Sequence, residues 1–156
     1  MSEQVYYFYM QECDSKGVLL AGSTQKNLEV DFNGLKYCKA EGLNKIGKPR
    51  IYTEKYSDSD RLRVHIPEEL TNEATTVTFT FYFVGSNRYA TYNEFVEYVR
   101  NGFHRYYDTC RQRYLYFCVT SEIKPAKEQF IGGTPYLELQ LQVQNIFGRT
   151  FDTAKH

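Results

Sequence analysis

The sequence predicts an α+β fold, a mainly antiparallel β-barrel or sandwich of about seven or eight strands with one flanking α-helix over about residues 91–101. Three observations lead there. Aromatic residues make up 17% of the chain, with 15 Tyr, 11 Phe and no Trp, and such side chains fit pleated, half-buried surfaces. Val77, Phe79, Phe81 and Phe83 alternate with Thr76, Thr78, Thr80 and Tyr82, the pattern of a strand with one buried face. The period then changes after Gly85-Ser86-Asn87: Tyr92, Phe95, Val96 and Val99 fall at i, i+3, i+4 and i+7, the stripe of an amphipathic helix. Thr91 and Glu94 have capping-box spacing at its start, and Asn101-Gly102 supplies its stop.

The other elements follow in chain order. Val5 to Met10 reads as an aromatic strand, Asp14 to Gly17 as a turn, and Val18 to Leu20 as a returning hairpin arm broken at Gly22-Ser23-Thr24. Leu28 to Phe32 reads as a strand, with Asn33-Gly34 as a hairpin turn into Leu35 to Cys38. The segment 42–50 is rich in Gly, Lys and Asn and is expected to be a long loop with few apolar anchors. Ile51 to Tyr56 is extended, Ser57 to Asp60 turns, and Leu62, Val64 and Ile66 alternate with Arg61, Arg63 and His65. After the helix, Phe103 to Tyr107 and Arg113 to Thr120 form two strands joined at Asp108-Thr109-Cys110. The stretch 124–135, with two prolines and Gly132-Gly133, reads as a second exposed loop. In the last strand, Tyr136 to Gln144, Leu137, Leu139, Leu141 and Val143 face one way. Glu138, Gln140, Gln142 and Gln144 face the other, a polar surface with little charge to guard an edge. Phe79, Phe81, Phe83, Phe95, Val99, Leu115, Phe117, Leu139 and Leu141 are the expected shared core.

A chain of 156 residues with no linker or internal repeat is read as one domain, residues 1–156. Its 19 basic and 19 acidic residues cancel, so no whole-molecule charge draws it to nucleic acid or to an anionic membrane. The charge is nevertheless uneven. Residues Lys36 to Arg63 hold eight basic and four acidic side chains, and Arg100 to Arg113 hold four and one. A soluble protein without a cleaved secretory signal is expected, since the N-terminus lacks a basic segment followed by an apolar run. Cys13, Cys38, Cys110 and Cys118 are widely spaced and read as free thiols.

Chemistry is hard to assemble from these residues. His65, His104 and His156 have no partner in a nucleophile motif, and Asp58-Ser59-Asp60 lacks the Gly and Glu of a calcium loop. No glycine-rich phosphate loop is present, so no catalytic residue, metal ligand or cofactor is expected. Two binding readings remain. Lys39, Lys45, Lys48 and Arg50 could meet Glu94 and Glu97 of a neighbouring copy, with Gln140 and Gln142 as a further contact face. Alternatively, Arg105, Tyr106, Arg111, Arg113 and Tyr116 interleave cations with rings, as single-stranded nucleic-acid binders of the OB type do.

The order of several phrases resembles the N-terminal ring-forming domain of the phage distal tail family, related in fold to tail-tube proteins. The phrases are Asp31-Phe32-Asn33-Gly34-Leu35, Glu41-Gly42-Leu43, the strand Thr75 to Val84, the helix Tyr92 to Arg100, the turn at Tyr107-Asp108 and the closing Asn145-Ile146-Phe147-Gly148. The resemblance covers roughly residues 28–151. It implies a β-barrel or sandwich with a flanking helix that assembles into a ring, often hexameric, around a channel for DNA and tape-measure protein. Other copies of the chain, other tail proteins and DNA in the channel would be the partners, with no membrane. The protein would reside in the virion tail, and in the host cytoplasm before assembly. The family supplies no catalytic residues.

Overall fold

The computed structural model describes residues 7–47, 52–55, 62–65 and 72–155. The main sheet is antiparallel throughout. Its strands are β1 (Phe8–Cys13), β2 (Lys26–Asn27), β3 (Leu35–Glu41), β6 (Thr75–Val84), β7 (Phe103–Asp108), β8 (Arg113–Cys118), β9 (Lys127–Ile131) and β10 (Thr134–Asn145). They run in the order β2-β1-β7-β8-β10-β6-β3, with β9 on β10. The strands β4 (Tyr52–Lys55) and β5 (Leu62–His65) form a separate two-stranded ladder. Two helices, α1 (Leu28–Asp31) and α2 (Arg88–Val99), complete the α+β fold.

The sheet curls into a half-barrel. Phe8 on β1 and Tyr37 on β3 sit toward opposite ends of the strand order, yet their ring centroids are 4.2 Å apart. The concave face holds the core, and the nine residues expected to share it all lie in one buried cluster. Phe95 of α2 packs edge-on to Phe81 and Phe32 at 4.8 and 5.2 Å, so the helix covers one opening of the half-barrel. Burial of a Phe or Val side chain contributes about 1.5–3 kcal/mol, so Phe95 and Val99, one turn apart, hold α2 on the core.

Several expectations are corrected. The segment 28–32 is a helical turn, and β3 pairs with β6, so no hairpin forms at Asn33-Gly34. Leu28 and Phe32 are buried one turn apart while Val30 is 68% exposed, which a strand with Leu28, Val30 and Phe32 on one face would not allow. Asp31 Oδ2 accepts the Asn27 N–H at 2.7 Å and Glu29 Oε1 accepts the Tyr37 N–H at 3.1 Å, so both carboxylates fasten the corner. Helix α2 begins at Arg88, placing Thr91 inside it. The Thr91 hydroxyl donates to Asn33 O at 2.7 Å, tying the helix to the α1–β3 corner instead of capping it. The arm at Val18 to Leu20 reduces to one bridge, Leu19 to Cys13.

The stretch 124–135 is no loop. It forms β9 and the first two residues of β10, joined by a two-residue turn in which Gly132 and Gly133 both have positive φ, 56° and 82°. That is the mirror-image turn whose twist matches a hairpin, and it needs residues without a Cβ penalty. Strand β10 therefore lies inside the sheet, flanked by β6 on one side and by β9 and β8 on the other, so its glutamines do not guard an edge. The turn after β3 has one apolar anchor, Leu43, 4% exposed within the core cluster.

Candidate functional site

The expected contact residues fall in separate places. Lys39 is exposed on β3 and its Nζ lies 2.9 Å from Glu41 Oε1 on the same strand. Lys45 is exposed in the turn that follows β3, and Lys48 and Arg50 lie outside the described residues. Glu94 and Glu97 are exposed on α2, where Glu97 pairs with Arg100 at 3.5 Å. No ion pair among the described residues joins either glutamate to Lys45. Gln140 and Gln142 are exposed on the convex face of β10 and line a shallow hollow of about 190 Å³ with Thr78, Glu122 and Lys124.

The cation and ring constellation comes apart when the strands are registered. Tyr106 opposes Leu115 on the concave face and is 0% exposed, so its ring is core. Tyr116 projects from the convex face but is also 0% exposed. Phe147 and Phe151 pack edge-on against it at 5.5 and 6.0 Å, and its hydroxyl accepts the Lys155 N–H at 2.8 Å. Neither ring can stack on a base. Arg111 is committed to Asp108, and Arg113 donates to Thr150. Only Arg105 keeps an open ring neighbour, with its guanidinium 5.2 Å from the Tyr114 centroid.

A different aromatic surface occupies the convex face. Tyr107 stacks on Tyr114 at 4.4 Å, and with Tyr9, Gln11, Gln25 and Arg105 they border a groove of about 220 Å³. Strand alternation alone could have separated Tyr107 and Tyr114 from Tyr106. The loss of Tyr116 to its covering segment leaves no local sequence signal.

Two buried polar groups stand out on the concave side. Asp108, 0% exposed, accepts the Tyr106 hydroxyl at 3.2 Å and the backbone N–H of Arg111. His104, also 0% exposed, donates from Nε2 to Asn101 O at 3.0 Å, while Nδ1 has no partner. Its ring lies between Tyr98 and Phe117 at 4.8 and 5.5 Å. Burial holds its pKa below the ordinary 6.5, outweighing the bond to the Asn101 carbonyl. Burial likewise pushes the Cys13 thiol up to about 12, so it is a packed hydrophobe and no nucleophile. Cys13, Cys110 and Cys118 are all unpaired.

The lowered His104 value has a pH consequence. Between the folded pKa and the unfolded value near 6.5, the unfolded chain binds the extra proton. The stabilisation is therefore complete above pH about 6.5 and is lost as pH falls toward the folded value. Melting temperature should drop as pH is lowered through 6 toward 5, and His104→Phe should flatten that slope. Equal slopes for parent and variant would show that His104 does not titrate with folding.

No group of three or more His, Cys, Asp or Glu side chains among the described residues could hold a metal ion. No described helix is long and apolar enough to cross a membrane. Neither the family models nor the curated proteins compared with the chain match it.

Proposed function

We propose that the protein is a non-enzymatic structural component of a phage or prophage tail, a distal-tail or tube-like ring protein that acts by self-assembly. The observation that carries this reading is the β9–β10 hairpin. At its tip the consecutive Phe130 and Ile131 are 66% and 69% exposed, one on each face of a strand that among the described residues pairs with β10 alone. A free edge carrying large apolar side chains is a template for another chain, and soluble proteins usually blunt such edges with charge, proline or a covering segment. Of the two charges on β9, Glu128 is held by Arg88 and by the Tyr89 hydroxyl at the start of α2, which leaves the exposed Lys127, at the far end of the strand from the tip, as its free charge. Those contacts brace the hairpin against the helix, so the tip is presented on a fixed base. In this reading the partners are further copies of the chain, other tail proteins, and DNA passing through the channel of a ring, hexameric by the resemblance. The site of action is the virion tail, reached from the host cytoplasm.

Solution mass as a function of concentration tests the reading. The parent should shift toward a closed oligomer as concentration rises, with rings visible by electron microscopy. The double change Phe130→Ser, Ile131→Ser should hold the protein monomeric while leaving its melting temperature nearly unchanged, because neither side chain is buried. A parent that stays monomeric at high concentration, or a double variant that assembles like the parent, would overturn the hairpin's role.

A further inference from the structure

We propose a binding site for a phosphoryl group in the pocket between the turn after β3 and the segment after β10. The pocket, of about 260 Å³, is lined by Leu43, Asn44, Lys45, Ile46, Asn72, Arg113, Arg149 and Thr150. Three cations meet there, and among the described residues no carboxylate lines the wall. Arg113 and Arg149 converge on one residue: Arg113 donates from Nε to the Thr150 hydroxyl at 3.1 Å and from Nη2 to Thr150 O at 3.4 Å, and Arg149 Nε donates to that same carbonyl at 3.3 Å. These bonds aim two guanidinium groups at one spot and leave several of their N–H donors unused. Neither arginine, nor Lys45, has an ion-pair partner among the described residues. Asp108, which faces Arg113 across the β7–β8 ladder, gives its carboxylate to Arg111 and Tyr106.

Like charges gathered without a counterion repel one another, so this arrangement is at its most stable with an anion between them. The floor is built to hold it. The Gly47 N–H donates to Gly148 O at 2.8 Å. A Cβ on Gly47 would stand 1.8 Å from Glu73 O, and one on Gly148 would stand 2.1 Å from the same oxygen. Three chain segments are thus pressed together where no side chain fits, which fixes the pocket's walls relative to one another. The aliphatic stem of Lys45 lies 3.6 Å from where a Cβ of Gly42 would be, so its stem is laid along the turn. Arg149 is set by stacking on Phe151 at 4.8 Å.

Three positive charges with two neutral amides and a hydroxyl suit a multiply charged oxyanion better than a single carboxylate. Arginine forks match phosphate oxygens in particular. Beside them Ile46 is 76% exposed and Leu43 forms part of the wall, so an organic body joined to the phosphate has an apolar surface to cover. The ligand class is therefore a phosphate ester, either a small phosphorylated compound or the backbone of a nucleic acid. The inference does not depend on whether copies of the chain assemble.

Calorimetric titration of the protein with pyrophosphate at low ionic strength is the test. Saturable binding is expected, weakened about tenfold to hundredfold by Arg149→Ala and by Lys45→Ala, the range for losing one charge-assisted hydrogen bond. Lys16→Ala, which removes an exposed cation from the turn after β1, should bind as the parent does. Two variants are used because Arg149 also packs on Phe151, and near-ultraviolet circular dichroism checks that each is folded. A labelled single-stranded oligonucleotide then identifies the source of the phosphate. Displacement by pyrophosphate, together with loss in the Arg149 variant, places backbone phosphates in the pocket. Oligonucleotide binding that ignores pyrophosphate, or none at all, leaves the pocket to small phosphorylated compounds. The site is overturned if pyrophosphate does not saturate the parent, or if the folded Arg149 and Lys45 variants both bind it as tightly as the parent.

Discussion

Phe81→Ala is expected to remove about 3–5 kcal/mol of stability, the usual loss when a buried phenylalanine leaves a cavity. Domains of this size have about 5–15 kcal/mol in total, so the variant would be largely unfolded near body temperature if the parent sits at the low end. Phe81 is 0% exposed and lies on β6 between Leu139 of β10 and Tyr37 of β3. Its ring is 4.8 Å from Phe95, 5.7 Å from Phe79 and 5.8 Å from Tyr37, so it joins the helix to β6 and β3. The surrounding rings belong to different elements and cannot all move into the gap together, which keeps the cavity open and the loss large. Thr78→Ala, on the convex face of the same strand, should shift stability by no more than about 0.5 kcal/mol. Urea unfolding of the three proteins reads both effects, as a lower midpoint with an unchanged slope for Phe81→Ala. Coincident midpoints for the parent and Phe81→Ala would mean that the concave face has been assigned to the wrong side of β6.

Where the fold was legible in the sequence, one periodicity ran long enough to exclude the other. Eight residues of alternation from Thr76 to Phe83, and nine from Tyr136 to Gln144, leave no room for a helix. The segment 28–32 is too short for that: Leu28, Val30 and Phe32 alternate like a strand, while Leu28 and Phe32 alone fit one helical turn. Tertiary packing chose between them by burying the pair and exposing Val30. Thr91 and Glu94 have the spacing of a cap, but spacing does not say whether the hydroxyl bonds its own helix or, as here, a carbonyl from another segment. The β9 strand was hidden by its composition, since two prolines and two glycines signal a loop, although Gly132-Gly133 between Ile131 and Thr134 is also a two-residue hairpin turn.

The candidate sites were less legible for a reason that is more general. Which ring of a strand is free depends on alternation, and that part can be read: Tyr106 and Tyr107 must face opposite ways. It also depends on what later segments cover. Tyr116 and Tyr114 share the convex face, yet the chain after β10 buries the first and leaves the second half-exposed. The basic pocket gathers Lys45, Arg113 and Arg149 from three stretches whose separation in sequence hides their meeting. Arg113 belonged to one expected site and Lys45 to another, and Arg149 to none. No local pattern announces a site whose walls are closed by backbone contact at Gly47, Glu73 and Gly148.

Asp108→Ala is expected to cost about 2–4 kcal/mol, through hydrogen bonds more than through charge. The Asp108 carboxylate is wholly buried at the end of β7, where the chain reverses into β8. Oδ1 accepts the Arg111 N–H and so closes the turn, in which Gln112 adopts a positive φ of 55°. Oδ2 accepts the Tyr106 hydroxyl at 3.2 Å and faces Arg111 Nη1 at 3.4 Å. The Arg111 side chain is 39% exposed, so solvent screens that ion pair and its share is at most about 1 kcal/mol. The rest comes from taking away the Asp108 acceptor of the Tyr106 hydroxyl, at a site with no access to water, and that of a turn N–H. Asp108→Asn separates these contributions. It keeps an acceptor of nearly the same shape and should lose about 1–2 kcal/mol, the smaller part. Tyr106→Phe in the Asp108→Ala background should recover part of the loss, because it removes the orphaned donor along with its missing partner. Urea midpoints for the single and double variants give the ordering. If Asp108→Ala unfolds with the parent, or if Tyr106→Phe makes it worse, the carboxylate is not what closes this turn and satisfies the core tyrosine.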